Sequence, residues 1–144
     1  MSLVEAVNEG WGWTGLTAKR VVTQSPMGHL VVSDADGGFF YIDPDGMAII
    51  ALGTEAEAQA HLASDEAKEL WSGGALVEEA KRRFGEPPAG SVFTIKPHAM
   101  IEGRYEPDNL CVMSLDELIR FTGDIAQQIK DLPDGSQIQL KVTD

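Results

Sequence analysis

Four short β-prone runs, at residues 19–23, 29–33, 38–42 and 47–52, set the pattern of the first third of the chain. Each has the length of a strand and is bounded by turn chemistry: Ser25-Pro26-Met27-Gly28, Asp34-Ala35-Asp36-Gly37 and Asp43-Pro44-Asp45-Gly46. Asp bonds to its own backbone, Pro presets φ and Gly accepts a positive φ, so these separators predict hairpins and the runs a β-meander. Phe39, Phe40, Tyr41 and Ile42 place apolar groups on both faces, the mark of an interior strand, and the run from Met47 to Leu52 reads the same way.

The period then changes. Thr54 and Glu57 have the spacing of a capping box and open a helix running to about Ala63. A second helix starts near Ser64 and ends at Trp71, and a third runs over residues 75–84. Gly73-Gly74 separates them, because two successive glycines cost roughly 2 kcal/mol inside a helix. Residues 91–96 and 109–113 are β-prone. Ser114 and Glu117 form another capping box before an amphipathic helix with Leu115, Leu118, Ile119, Ile125, Ala126, Ile129 and Leu132 on its apolar stripe. After Leu132-Pro133-Asp134-Gly135, the alternation of Ile138, Leu140 and Val142 predicts a closing strand at 137–142. The expectation is an α+β fold, a single domain over residues 1–144: a largely antiparallel sheet from the N-terminal meander plus C-terminal strands, packed by three to four helices.

Charge narrows the function. The net charge is -12, and residues 1–66 hold ten acids against Lys19 and Arg20. A phosphate-backbone binder needs clustered Lys and Arg, so direct nucleic-acid binding is not expected, whereas a negative face steers a basic protein partner. Solubility alone also accounts for such acidity. Cys111 is the only cysteine, which excludes an internal disulfide or a multi-cysteine zinc site and fits a reducing compartment. Residues 1–10 lack the basic and apolar regions of a signal peptide, and no stretch approaches the ~20 apolar residues of a membrane span. A cytoplasmic protein without membrane partners is expected.

Catalytic and cofactor motifs lack their contexts. Gly10-Trp11-Gly12-Trp13-Thr14-Gly15 is a literal G-x-G-x-x-G, but no strand precedes it, no helix follows it, and indoles fill its variable places. Its tryptophans read as a plug at the edge of the sheet or, alternatively, as anchors for a partner. Asp34-x-Asp36-Gly37 and Asp43-x-Asp45-Gly46 have calcium-like spacing, yet in the first register Asp45 stands where an EF-hand requires a bidentate Glu. They read as hairpin turns with solvated carboxylates. His29, His61 and His98 are dispersed and predict no ligand pair or triad, and Cys111, between Leu110 and Val112, reads as a small core hydrophobe. No cofactor or metal is expected. The long segment 96–109 carries Glu102, Arg104, Tyr105 and Asp108 among its turn residues and reads equally as a binding loop or a structural one.

The Gly/Trp-rich opening, Tyr41-Ile42-Asp43-Pro44, and Gly103-Arg104-Tyr105-Glu106-Pro107-Asp108-Asn109-Leu110 are similar to a bacterial family first described as a domain of unknown function. The likeness continues through Gly123-Asp124-Ile125-Ala126-Gln127-Gln128-Ile129 to Leu132-Pro133-Asp134-Gly135. The described member of that family is the immunity protein against a type VI secretion DNase effector. The resemblance implies a non-catalytic inhibitor that occludes the basic cleft of a cognate toxin. Under it, Asp34, Asp36, Asp43, Asp45, Glu102 and Asp108 are candidates for the acidic face, Arg104 is a partner-binding candidate in the same loop, and Trp11, Trp13 and Tyr105 are candidate apolar anchors. The alternatives are a small-molecule-binding module or enzyme, and a regulatory scaffold.

Overall fold

The computed structural model describes residues 2–44, 46–96, 99, 104 and 106–129, and the chain is α+β. The meander forms as the turn residues dictate: β1 (Ala18–Gln24), β2 (Leu30–Asp34), β3 (Phe39–Asp43) and β4 (Ala48–Gly53) make a four-stranded antiparallel sheet in chain order. β5 (Ser91–Ile95) and β6 (Leu110–Ser114) pair with each other as a separate two-stranded sheet and do not extend the meander. The closing strand expected at 137–142 lies outside the described residues.

Both faces of β2 and β3 are covered, which is why β3 is apolar from Phe39 to Ile42. On one face Leu30, Val32 and Ile42 join the main core with Val92, Phe93, Leu118 and Ile119. On the other, Val31, Phe39 and Tyr41 pack with Ala58, flanked by Leu62 and Trp71. β3 is interior, as its composition predicts, but among the described residues β4 is an edge strand of this sheet. Its side chains are only partly covered, with Ile50 54% exposed. A run of apolar residues reports burial of the two faces and says nothing about pairing along the two edges, so the interior position expected for residues 47–52 does not follow.

A helix that the turn pattern does not announce begins the fold. α1 (Leu3–Trp11) is capped by Ser2, whose hydroxyl accepts from the Glu5 backbone N–H at 3.2 Å, and buries Ala6, Val7, Gly10 and Trp11. Its partner is the amphipathic helix at 115–129, whose expected stripe is buried at Leu115, Leu118, Ile119, Ile125 and Ala126. The two backbones meet at glycines: a Cβ on Gly123 would lie 2.2 Å from the Gly10 carbonyl oxygen, and one on Gly10 would lie 2.8 Å from the Arg120 Cα.

Three helices separate the sheets: α2 (Glu55–Ala63), α3 (Asp65–Ser72) and α4 (Gly74–Phe84), and the helix Leu115–Ile129 is therefore α5. The capping box before α2 is formed in both directions between Thr54 and Glu57. Little else holds this helix, since among the residues of α2 only Ala58 is buried. Thr54→Ala is therefore expected to cost about 1 kcal/mol, and amide hydrogen exchange should speed up in the first turn of α2 before anywhere in the sheet.

The β3–β4 turn solves its geometry in an unexpected way. Among the described residues of this turn the one with positive φ is Met47, at 53°, and not Gly46. Gly46 is needed for room instead, because a Cβ there would sit 2.5 Å from a carboxylate oxygen of Asp43.

Candidate functional site

Of the candidate anchors, Trp11 belongs to the core. It is 1% exposed, and its indole N–H donates to the Ile119 carbonyl of α5 at 3.0 Å. Trp13 follows in a single 3-10 turn, Gly12–Thr14, stacks on Trp11 at 6.3 Å between ring centroids, and donates to the Gly123 carbonyl at 3.0 Å. Both tryptophans thus clamp α1 to α5, a helix-to-helix contact and not a plug at the edge of the sheet. Trp11 has no surface to give a partner, and Trp13 keeps a half-exposed ring. Tyr105 and Glu102 lie outside the described residues, as do Asp45 and His98.

The turn acids do not share one face. Asp34 and Asp36 stand at one end of β3 and Asp43 at the other, because consecutive turns of a meander alternate between the ends of the sheet. Asp34 Oδ1 accepts from the Asp36 and Gly38 backbone N–H groups at 3.0 and 2.9 Å, and Asp43 Oδ1 accepts from Gly46 N–H at 2.9 Å. These carboxylates build their own turns. Asp36 and Arg104 are exposed, and Asp108 is held by the Arg83 guanidinium at 3.2 Å.

β2 and β3 bring together a cluster that linear spacing hides. One step beyond the Leu30–Ile42 pair, His29 lies beside Asp43 and diagonal to Tyr41. His29 Nδ1 is 2.5 Å from the Tyr41 hydroxyl, and Nε2 is 3.4 Å from Asp43 Oδ1. The Asp43 carboxylate, which when ionised only accepts, stands on the Nε2 side of the ring, and the Tyr41 hydroxyl hydrogen-bonds with Nδ1, the tautomer of His29 setting which of the two donates. Tyr41 is braced edge-on by His61 and Trp71 at 6.0 and 5.7 Å. His29 and Tyr41 are 5% and 4% exposed, while the Asp43 side chain is 29% exposed, so the cluster is open to solvent at its Asp43 end.

His29 also reaches the floor of an open cleft of about 430 Å³, lined by Met27, Glu66, Glu69, Gly73, Gly74 and Leu76. Met27 and Leu76 give it apolar walls, while Glu66 and Glu69 project from α3 at its rim. No Lys or Arg is among its described lining residues. A groove with apolar sides and carboxylates at the mouth suits a Lys or Arg side chain, which has an apolar stem and a cationic head. The cleft lies between the meander and the α3–α4 junction. The same acidity continues on the exposed surface of α2 and α3 through Glu55, Glu57 and Asp65, with Lys68 as the one Lys or Arg of these helices.

The two arginines at the end of α4 are balanced locally. Arg82 and Arg83 both donate to Glu79, Arg83 at 2.8 Å, and Arg83 also reaches Asp108. Hydrogen bonds from Arg82 and then Arg83 hold the Glu79 carboxyl at about 2 against an ordinary 4.5. A depressed carboxylate contributes above its unfolded pKa and loses that contribution as pH falls through the folded one. The Glu79 side-chain carboxyl should therefore titrate near 2 by NMR and return towards 4.5 in R82A/R83A; a wild-type midpoint near 4.5 would show that the ion pairs do not persist in solution. Cys111 is half-buried in β6, and burial pushes its thiol up, away from the thiolate a nucleophile needs. Among the described residues no group of three His, Cys, Asp or Glu side chains is arranged to hold a metal ion, and no helix is long and apolar enough to cross a membrane.

Comparison with known proteins adds no relative: no protein-family model, no curated protein and no solved structure matches the chain.

Proposed function

We propose that the protein is a non-catalytic binder of a basic protein partner, and that this partner is a secreted bacterial toxin, a DNase effector being the kind implied by the sequence resemblance. The observation that carries the reading is the cleft beside α3, where Glu66 and Glu69 flank apolar walls with no base among the described lining residues. A DNase must expose cations to hold phosphate, and a surface that offers carboxylates and a Lys- or Arg-sized groove competes for those cations. The acid of α2 and α3 lengthens the same field, while the arginines of α4 are neutralised within the molecule and do not oppose it. In this reading the protein works in the cytoplasm, where a delivered nuclease meets its substrate. The role moves away from Trp11 and the turn acids named by the sequence and onto α2 and α3.

The Asp43–His29–Tyr41 chain favours a second reading, a small-molecule-binding module or enzyme. The burial of two of its members counts against it, since Tyr41 is 4% exposed and His29, although it lines the cleft, is 5% exposed. The two readings separate by co-expression with the product of the neighbouring gene. A binder rescues growth from a toxic neighbour and co-purifies with it, and H29A retains both properties at a temperature where the variant is folded. Loss of rescue in H29A with binding intact, or a neighbour that neither binds nor harms the cell, would overturn the inhibitor reading.

A further inference from the structure

Edges of β-sheets are normally protected, because their unpaired N–H and C=O groups are templates for another chain. Three edges of this fold follow that rule. β1 carries Lys19 and Arg20, has register shifts along β2, and has Ala18 bonded in both directions by the Asn8 side chain. β5 donates from Phe93 N–H to the Pro26 carbonyl at 3.0 Å, and β6 abuts α4. β4 departs from it. Ala48–Gly53 contains no charge and no proline, pairs with β3 on one side, and among the described residues has no hydrogen bond from its other side. Ile50 stands 54% exposed in the middle of it.

The charges around this edge select its occupant. Asp43 stands beside the start of β4, opposite Ala48, and Glu55 and Glu57 follow its end. In an antiparallel pair with a second copy, the start of one β4 would meet the end of the other, setting acid against acid at both extremities of two chains that each carry -12. A segment with an apolar middle and Lys or Arg at both ends meets the opposite condition.

We propose that the outer edge of β4 is a docking site for an extended, basic-ended segment of the partner, which adds to the sheet as a fifth strand with an apolar side chain against Ile50. The main-chain bonds supply affinity and the flanking acids supply selectivity. The proposal rests on the basic-partner reading and specifies how such a partner is held.

The test uses a synthetic peptide with alternating Val and Thr between two Lys at each end, a copy N-methylated at alternate residues, and amide NMR of the full chain. The expected result is that the first peptide perturbs the amides of Ala48–Gly53, that the N-methylated copy binds at least tenfold more weakly, and that I50K also weakens binding at least tenfold with the sheet spectrum otherwise retained. Perturbation confined to Glu66, Glu69 and their neighbours, unaffected by I50K, would overturn strand addition and leave the basic-partner reading standing. Absence of any peptide binding would overturn the docking site, and so would a dimer paired through β4; the basic-partner reading would then stand or fall on the co-expression result.

Discussion

Gly123→Ala should destabilise the protein by about 3 kcal/mol, the upper part of the range for forced overpacking. In an ordinary helix interior the same change stabilises by up to about 1 kcal/mol, because alanine is the better helix former. The sign reverses here because the new methyl would lie 2.2 Å from the Gly10 carbonyl oxygen, a backbone atom that cannot rotate away. α1 and α5 must separate, and the Trp11 and Trp13 hydrogen bonds to Ile119 and Gly123 stretch with them. Gly12→Ala is the control: it has helical φ and nothing within 4 Å of the added methyl, so it should be neutral or mildly stabilising. Gly10→Ala acts on the same contact, so the double variant should cost clearly less than the two single costs added together. A Gly123→Ala protein as stable as wild type in urea would refute the glycine-to-glycine packing.

Trp11→Ala is expected to cost about 3–5 kcal/mol, as for other large aromatics removed from a core. The indole lies among Ala6, Val7 and the α5 stripe and is almost wholly out of water. Trp11→Phe separates packing from hydrogen bonding: it keeps most of the apolar contact and gives up the bond to the Ile119 carbonyl, for about 1–2 kcal/mol. Urea denaturation followed by far-ultraviolet circular dichroism measures both without relying on the fluorescence that the substitutions remove. If Trp11→Ala changes stability by less than about 1 kcal/mol, the residue is not a core clamp and its role as a partner anchor returns.

Much of the fold is written in local chemistry. The three turn clusters define the meander to within a residue or two at each strand end, and Thr54 with Glu57 marks the start of α2 at the residue where it begins. The apolar stripe of α5 is legible because its period is long and clean, and Thr122 sits within it without penalty by donating to the Leu118 carbonyl at 2.7 Å. α1 is harder to see, since Glu5, Asn8 and Glu9 interrupt a short pattern; the signal is Ser2 as a cap with Leu3, Val7 and Trp11 on one side.

The candidate site was far less legible, for a geometric reason. His29, Tyr41 and Asp43 meet through strand register, and register is set by hairpin lengths that no single motif displays. The acidic turns looked like one face because they are close in sequence, yet one five-residue strand separates them by about 15–17 Å. Glu66 and Glu69 read as a solvated helix face, which they are; what the linear pattern lacks is the apolar wall from Met27 and Leu76 that makes that face the rim of a cleft.

In the proposed function, carboxylates on α3 engage a basic protein. The most direct measurement is the affinity for the toxic product of the neighbouring gene, taken across a salt series with wild type and with E66Q/E69Q. Binding should weaken at least tenfold as salt rises from low to physiological strength, and the double variant should bind at least tenfold more weakly at low salt with a flatter salt dependence. An affinity indifferent to both salt and the two substitutions would contradict the account.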